Sequence, residues 1–241
     1  MSDLRANLDQ LHISDDGAER IRQNLKMEMA AEAIVSWCRE SIRQANVIIG
    51  QGKNMYVYRN GVVITVHEAS KAIITAHPVK PKIRPMKPSE YGCLPEFLYQ
   101  SIFIPEGVTS PPRDIIRDPQ IFAYIKDFGS RAGDLGVAAE QNGQIIGAAW
   151  TRLMSGFGHI DEETPELAIS ILPEFRGLGV GTKLMKKLFS ILRADGFTRL
   201  SLSVQKNNPA LGFYEGLGFR ITQEKPDHVG HEDCIMMKDL I

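Results

Sequence analysis

The chain has 241 residues, 43% of them apolar and 24% charged, with a formal net charge of −1 at pH 7. That is the composition of a globular protein and excludes a disordered chain. The near-zero charge removes any bulk electrostatic pull toward nucleic acid or a membrane surface. At about 150 residues per domain, the length suits one or two domains.

No apolar run approaches the roughly 18 residues of a membrane span, and the longest, such as IIGAAW at 145–150, are strand-sized. The opening MSDLRANLDQ mixes charges with apolar residues instead of carrying the apolar core of a signal peptide, so a cytoplasmic location is expected. Cys38, Cys93 and Cys234 are odd in number, far apart and in no C-x-x-C pair. This argues against a disulfide framework and against a cysteine zinc site.

In chain order, Asp16 and Glu19 have the spacing of a capping box that opens a helix. Ile34, Trp37, Cys38 and Ile42 recur at helical spacing and predict an amphipathic helix over 29–46. The period then switches to strands: MYVY at 55–58, the turn Asn60-Gly61, VVITVH at 62–67 and AIITAH at 72–77. Asn-Gly between β-branched runs signals a hairpin, because both turn residues need positive φ. The expectation is a small α+β unit, helices packed on a three-strand meander. His67, Ser70, Lys71, Thr75 and His77 lie at its strand ends. They could support acid–base chemistry of the ribonuclease kind, but a docking or dimerisation module with polar strand ends is the preferred reading.

The stretch HPVKPKIRPMKP at 77–88 holds four prolines among bases and reads as an extended connector, which places a domain boundary near residue 82. Residues 1–82 carry 11 basic and 9 acidic side chains and the remainder 17 and 20, so neither part is a polybasic module.

Beyond the connector the pattern predicts a strand at 83–86, helices near 89–101 and 118–128, and a hairpin through Asn142-Gly143. Strand 166–172, helix 180–194, strand 198–205, helix 209–217 and a final strand at 233–239 follow. Alternating strands and helices imply parallel pairing and the hairpin implies antiparallel pairing, so the expected class is α/β, a mixed twisted sheet flanked by helices.

The most informative segment is ELAISILPEFRGLGVGTKLMKKLFSIL at 166–192: a strand, a short turn through Arg176-Gly177-Leu178-Gly179-Val180-Gly181, then an amphipathic helix. Small residues let backbone approach an anion, and the first helical amides point outward with the helix dipole behind them. Arg176 adds a charged donor suited to phosphate. A dinucleotide fingerprint would need glycine where Thr182 stands, and Gly181-Thr182-Lys183 is out of order for a P-loop.

R-x-x-G-x-G in this setting resembles the acyl-coenzyme-A-binding motif of the GNAT (Gcn5-related) N-acetyltransferases. LSVQKNNPALGFYEGLGF at 202–219 is similar to that family's second signature, and the lead-in IRPMKPSEY also matches. The resemblance covers 83–241, about two-thirds of the chain. It implies that acetyl-CoA is the cosubstrate, with the pyrophosphate on the backbone of Arg176, Gly177, Leu178, Gly179, Val180, Gly181 and Thr182. It also implies that Ile169, Ser170 and Ile171, on a strand splayed from its neighbour, pair with the pantetheine arm and polarise the thioester carbonyl. Tyr214 matches the family's general acid, although it could also be a packing aromatic of helix 209–217. Asn208 matches the asparagine of the pantetheine arm, with Asn207 open as an alternative because the spacing to Tyr214 is one residue short.

A glutamate base that many members carry on the strand after the glycine turn is absent, since Leu202 or Ser203 stands there. Glu166 is the candidate base, with His159 second; a solvated strand end is the competing reading of Glu166. His159, Asp161, Glu162, Glu163 and Glu166 precede or open the strand and could form an acidic rim that attracts a cationic amine, or a solvated loop. The expected acceptor is a small-molecule or peptide amine rather than nucleic acid or membrane, and homodimers are common in the family. His228, His231, Asp233 and Cys234 fit no common zinc spacing, so no metal is expected. The competing class is an acyl-CoA-binding or protein-interaction module in which residues 1–82 carry the main activity.

Overall fold

The computed structural model describes residues 4–45, 47–105, 107–226 and 232–240. The chain divides into two compact units, one running to Lys80 and one starting at Pro81.

In the first unit a 3-10 turn (Leu4–Gln10) leads into β1 (His12–Ile13), α1 (Asp15–Leu25) and α2 (Ala31–Arg43). Then come β2 (Val47–Gln51), β3 (Asn54–Arg59), β4 (Val62–His67) and β5 (Ala72–Pro78). The expected meander is β3–β4–β5, turning at Asn60 and Gly61 with φ of 47° and 77°. It is extended to five strands in the order β1-β5-β4-β3-β2, with β1 parallel to β5. Ile21 of α1 and Ile34, Cys38 and Ile42 of α2 are fully buried against Val57, Val66 and Ala76 of the sheet. Burial at that helical spacing is what fixes both helices, at about 1.5–3 kcal/mol per large side chain.

Two expectations change here. The cap of α1 is Ser14, whose Oγ accepts the Gly17 amide at 3.2 Å, so Asp16 already lies inside the first turn. Moreover, the register sets His77 opposite Val63, four residues along β4 from His67. At about 3.3 Å per residue the two histidines are roughly 13 Å apart and form no acid–base pair. His67 Nδ1 is instead engaged with Ser70 Oγ at 2.9 Å, and His77 Nδ1 with the carbonyl of Pro78 at 3.1 Å.

The second unit opens with β6 (Lys82–Pro85), a 3-10 turn (Pro88–Cys93), α3 (Leu94–Ser101), a second 3-10 turn (Arg113–Arg117) and α4 (Pro119–Phe122). It continues through β7 (Leu135–Gln141), β8 (Gln144–Arg152), β9 (Glu166–Ile171), α5 (Val180–Ala194), β10 (Arg199–Gln205) and α6 (Ala210–Gly216), and ends in β11 (Arg220–Pro226) and β12 (Glu232–Asp239). The sheet order is β11-β12-β10-β9-β8-β7-β6, and β9–β10 is its parallel pair. This is the mixed α/β sheet expected from the sequence.

The helix expected over 118–128 closes only one α turn; the amides of Tyr124 and Ile125 then bond three residues back, to Ile121 and Phe122, before Asp127 and Gly129 take positive φ of 50° and 91° and turn the chain away. β11 gives no alternating pattern, since nearly all of its residues are exposed at the sheet edge. His228 and His231 lie outside the described residues; Cys234 is buried in β12, and burial raises its thiol pKa. Among the described residues no group of three or more His, Cys, Asp or Glu side chains could hold a metal ion, and no helix is long and apolar enough to cross a membrane.

A charged triad ties the start of this unit together. Arg84 donates to Glu140 Oε2 at 2.6 and 2.9 Å and to both oxygens of Glu90 at 2.6 and 2.7 Å. Arg84 and Glu90 side chains are only 15% and 17% exposed. The Arg84 hydrogen bond holds the Glu90 carboxyl at about 2, against an ordinary 4.5. A depressed carboxylate stabilises the fold above its unfolded value and loses that contribution as pH falls toward the folded one. Glu90→Gln is therefore expected to be less stable than wild type at pH 7 by about 1–3 kcal/mol. In urea titrations the gap should close between about pH 5 and pH 2; a gap independent of pH would remove the ion pair as its cause.

Candidate active site

The turn between β9 and α5 is set by packing at one end and backbone conformation at the other. Phe175 is fully buried and pins the 3-10 turn Pro173–Phe175. Gly177 and Gly179 then take φ of 74° and 71°, and a Cβ at either would meet nothing within 4 Å. The requirement for glycine is conformational rather than steric, because an L side chain in this region costs about 1–2 kcal/mol. α5 follows with Val180, Leu184, Met185, Leu188, Phe189 and Leu192 buried, which fixes its axis against the sheet. Its N-cap is Gly179, no side chain caps the first turn, and that turn carries no acidic residue. The leading amides of α5 therefore keep their donor capacity and the positive end of the helix dipole, the requirements of a phosphate cradle.

Beside this turn the sheet opens. β9 and β10 share one register pair, Glu166 with Ser201, while β9 pairs continuously with β8 from Glu166 to Ile171. The Leu172 amide donates to the Ile146 carbonyl at 3.0 Å, so even-numbered residues of the strand direct their backbone groups toward β8. The backbone groups of Ile169 and Ile171 consequently face the opening toward β10. Ser170 does not: its backbone is turned to β8, and its buried Oγ donates to the Phe97 carbonyl of α3 at 2.6 Å. Its backbone is therefore not available for the contact with the pantetheine arm that the resemblance implies.

Arg176 is likewise used differently from expectation. Its guanidinium donates to the carbonyls of Ile171 at 2.9 Å and Gln100 at 3.1 Å, bracing the end of β9 against α3. Its backbone remains part of the turn, whereas its side chain is a brace.

Tyr214 lies on α6, half-buried between Phe213 and Phe219, with ring centroids at 5.3 and 5.9 Å. Burial pushes its phenol up to about 12. Asn208 opens the helix, its Oδ1 accepting the Ala210 amide at 2.9 Å, while Asn207 is exposed.

Glu166 is the largest departure from a solvated strand end, being only 2% exposed. Oε1 accepts the Gly158 amide at 2.6 Å and the Tyr124 hydroxyl, and that hydroxyl in turn accepts the Phe157 amide at 3.1 Å. Oε2 is buried with no hydrogen-bond partner among the described residues. Desolvation raises the carboxyl pKa, although Tyr124, Gly158, His159 and Lys225 oppose the shift. A half-satisfied buried carboxyl at the root of an open cleft has the features of a proton acceptor. Glu166 thus leaves the acidic rim. Of the rest, Asp161 pairs with Arg199 at 3.0 Å, and Glu162 and Glu163 are exposed. The half-buried His159 places Nδ1 on the Met154 carbonyl at 3.2 Å and Nε2 3.8 Å from Glu162.

Sequence reasoning missed Tyr124 and its supports. Trp150 Nε1 donates to the Tyr124 carbonyl at 3.1 Å. The buried Arg152 holds the carbonyls of Ala123 at 2.7 Å and Lys126 at 2.5 Å, and pairs with Asp134 at 2.7 and 2.8 Å. A usable signal was Gly158, where a Cβ would meet the Leu202 carbonyl carbon at 2.5 Å, so that only glycine lets this loop lie on β10. Nothing local in the sequence marks Tyr124.

Comparison with known proteins agrees with this geometry. Residues 99–219 match the Acetyltransferase (GNAT) family, and residues 5–77 match a family described as a protein of unknown function (DUF3781). The 5-NmdU N-acetyltransferase of Pseudomonas phage PaMx11 is 29% identical over 144 residues, covering 57% of this chain and 99% of that protein. The [ribosomal protein bS18]-alanine N-acetyltransferase of Haemophilus influenzae is 32% identical over 102 residues, covering 40% of this chain and 66% of that protein. A solved structure assigned to the GNAT family, from Desulfovibrio desulfuricans, shares the fold with a TM-score of 0.51 at 16% identity, covering 67% of this chain and all of that one. The chain belongs to the GNAT family and is an acetyl-CoA-dependent N-acetyltransferase.

Proposed function

We propose that the chain transfers an acetyl group from acetyl-CoA to a primary amine, the amine attacking directly while both substrates are bound. The observation that carries the reading is the joining of an uncapped glycine turn at α5 to the unpaired edge of β9. Both relatives named above are N-acetyltransferases, one of 5-NmdU and one of an alanine of ribosomal protein bS18, which supports a nitrogen acceptor. On this reading the catalytic domain is 83–241, and residues 1–82 form a separate small domain.

Bound there, acetyl-CoA supplies an acetyl group on a thioester. The amides of 176–182 hold its pyrophosphate, and the backbone of Ile169 and the amide of Ile171 pair with the pantetheine arm and polarise the carbonyl. The side-chain amide of Asn207 or Asn208 steadies the same arm. Glu166 takes a proton from the incoming ammonium group through Oε2, releasing the lone pair that attacks the carbonyl carbon. Tyr214 gives its proton to the departing sulfur as the carbon–sulfur bond breaks, and recovers one from the newly acylated nitrogen. The balance is one proton left on Glu166. Exposed Glu162 and Glu163 favour approach of a cation.

Isothermal titration with acetyl-CoA and with CoA should give micromolar binding, about −8 kcal/mol. Gly179→Ala, which places a side chain at φ 71°, should weaken it about 5- to 30-fold. No detectable binding of either ligand would overturn the reading. With an amine panel monitored by free-thiol release, Tyr214→Phe should lower turnover about 100-fold or more and leave CoA affinity unchanged. Turnover that survives the substitution would take Tyr214 out of the mechanism. Because its phenol sits at about 12, Tyr214 stays protonated, and wild-type turnover should show no alkaline fall traceable to it below about pH 11.

A further inference from the structure

The two oxygens of the Glu166 carboxyl are unlike, and the difference traces to one side chain. Oε1 is saturated by the Tyr124 hydroxyl and the Gly158 amide, while Oε2 is buried with no partner among the described residues. Oε2 lies over Gly156, where a Cβ would sit 2.5 Å from it and 2.8 Å from the Tyr124 oxygen. The ring of Tyr124 stacks on Phe157 at 6.1 Å and 14°, and its hydroxyl is oriented by the Phe157 amide. Its backbone is held by Trp150 and lies between the two carbonyls that Arg152 grips. β8, β9 and the loop between them thus converge on the placement of one phenol.

We infer that Tyr124 is a positioning residue for acetyl transfer: by occupying Oε1 it fixes the Glu166 carboxyl so that Oε2 is the oxygen offered to the acceptor amine. This rests on the reading of Glu166 as the base. Tyr124 also acts on the charge. An O–H donated to a carboxylate favours the ionised form, so the hydroxyl offsets part of what burial imposes. The other groups facing the carboxyl are Gly158 and His159 from the loop before β9 and Lys225 from β11. Arg152, its cross-strand neighbour on β8, is committed to Asp134. Tyr124 itself is held far toward the protonated form by burial first and the Glu166 charge second, so it remains a donor whenever Glu166 is ionised.

The test is a pH titration of the Glu166 carboxyl in the full chain by carbon-13 NMR, with Glu166→Gln identifying the signal. In wild type the midpoint should lie above the ordinary 4.5. Tyr124→Phe, which removes only the hydroxyl, should raise it by about one pH unit or more. Replacing all tyrosines biosynthetically with 3-fluorotyrosine makes the phenol a stronger donor and should lower it. The fluorotyrosine arm keeps every side chain in place, so the test survives if Tyr124→Phe fails to fold.

The acidic limb of the transfer rate should move with the midpoint, and Tyr124→Phe should regain rate as pH rises; a merely structural residue would lower the plateau at every pH. If Glu166→Gln abolishes transfer but neither tyrosine change moves the midpoint, the role of Tyr124 is overturned and the base stands. If Glu166→Gln leaves transfer unchanged, the base reading falls and the role of Tyr124 falls with it.

Discussion

β9 stays beside β10 for a single residue pair, Glu166 with Ser201, and then leaves it. A strand in the middle of a seven-stranded sheet ordinarily pairs on both edges, because a buried amide or carbonyl without a partner costs about 1–3 kcal/mol. Parting from β10 therefore has to be enforced, and the structure shows by what. Ser170 is tied to α3 through the Phe97 carbonyl, and Arg176 takes up the Ile171 carbonyl and links it to Gln100. On the other wall the loop before β9 lies against the backbone of β10 at Leu202 and Ser203, an approach that only Gly158 permits. Where the strands do meet, Ser201 donates to the Pro165 carbonyl at 3.0 Å and closes the root of the cleft.

The same root holds a buried, half-satisfied carboxyl. A glutamate at the first position of β9 could have reached solvent, yet Glu166 is enclosed, and one of its oxygens has two donors while the other has none among the described residues. Solvation alone would expel such a group. It is retained because Tyr124, Phe157 and Gly158 form a fixed set of donors, and because the turn carrying Tyr124 is clamped by the buried Arg152–Asp134 pair. That pair is well made: the guanidinium spends its donors on a carboxylate and two carbonyls, and Asp134 also accepts the amides of Gly129 and Arg131. Removing one partner of such a pair would leave a buried charge uncompensated, which is worse than never having had it. The cost of enclosing Glu166 is thus carried by a network that extends to β8.

What could be read in the sequence follows from where each kind of information resides. The strand–turn–helix at 166–192 is written locally: glycines at positive φ, a helix with one apolar face, and no capping side chain. Both Asn-Gly hairpins were legible for the same reason, each being decided by two adjacent residues. β11 was not legible, since an edge strand exposed nearly throughout has no alternation to betray it. The helix over 118–128 is overextended because the i→i−3 turns that follow Phe122 keep a helix-like spacing in the sequence. Glu166 is legible as a candidate base, but the sequence does not decide against a solvated strand end, because its enclosure depends on Tyr124, 42 positions away. Arg176 is read as a phosphate donor from its type and Ser170 as a backbone contact from the family resemblance, whereas tertiary contacts with α3 claim both side chains.

The two halves of the cleft are therefore built in different materials. The glycine-turn half is backbone: helix amides and a strand edge, which any sequence can provide if it is small enough in the right places. The half facing Glu166 is side chain, drawn from α4 and the turn after it, from the loop 153–165 and from β11. A backbone site recognises what every substrate of such enzymes has in common, and it constrains only glycines and helix polarity. A side-chain site depends on residue type instead, since Oε1 of Glu166 takes the Tyr124 hydroxyl and the Gly158 amide as its donors. On the proposed reading the acceptor amine meets this second half, so the oxygen that Glu166 offers it is fixed by contacts 42 positions apart in the chain and not by any local pattern.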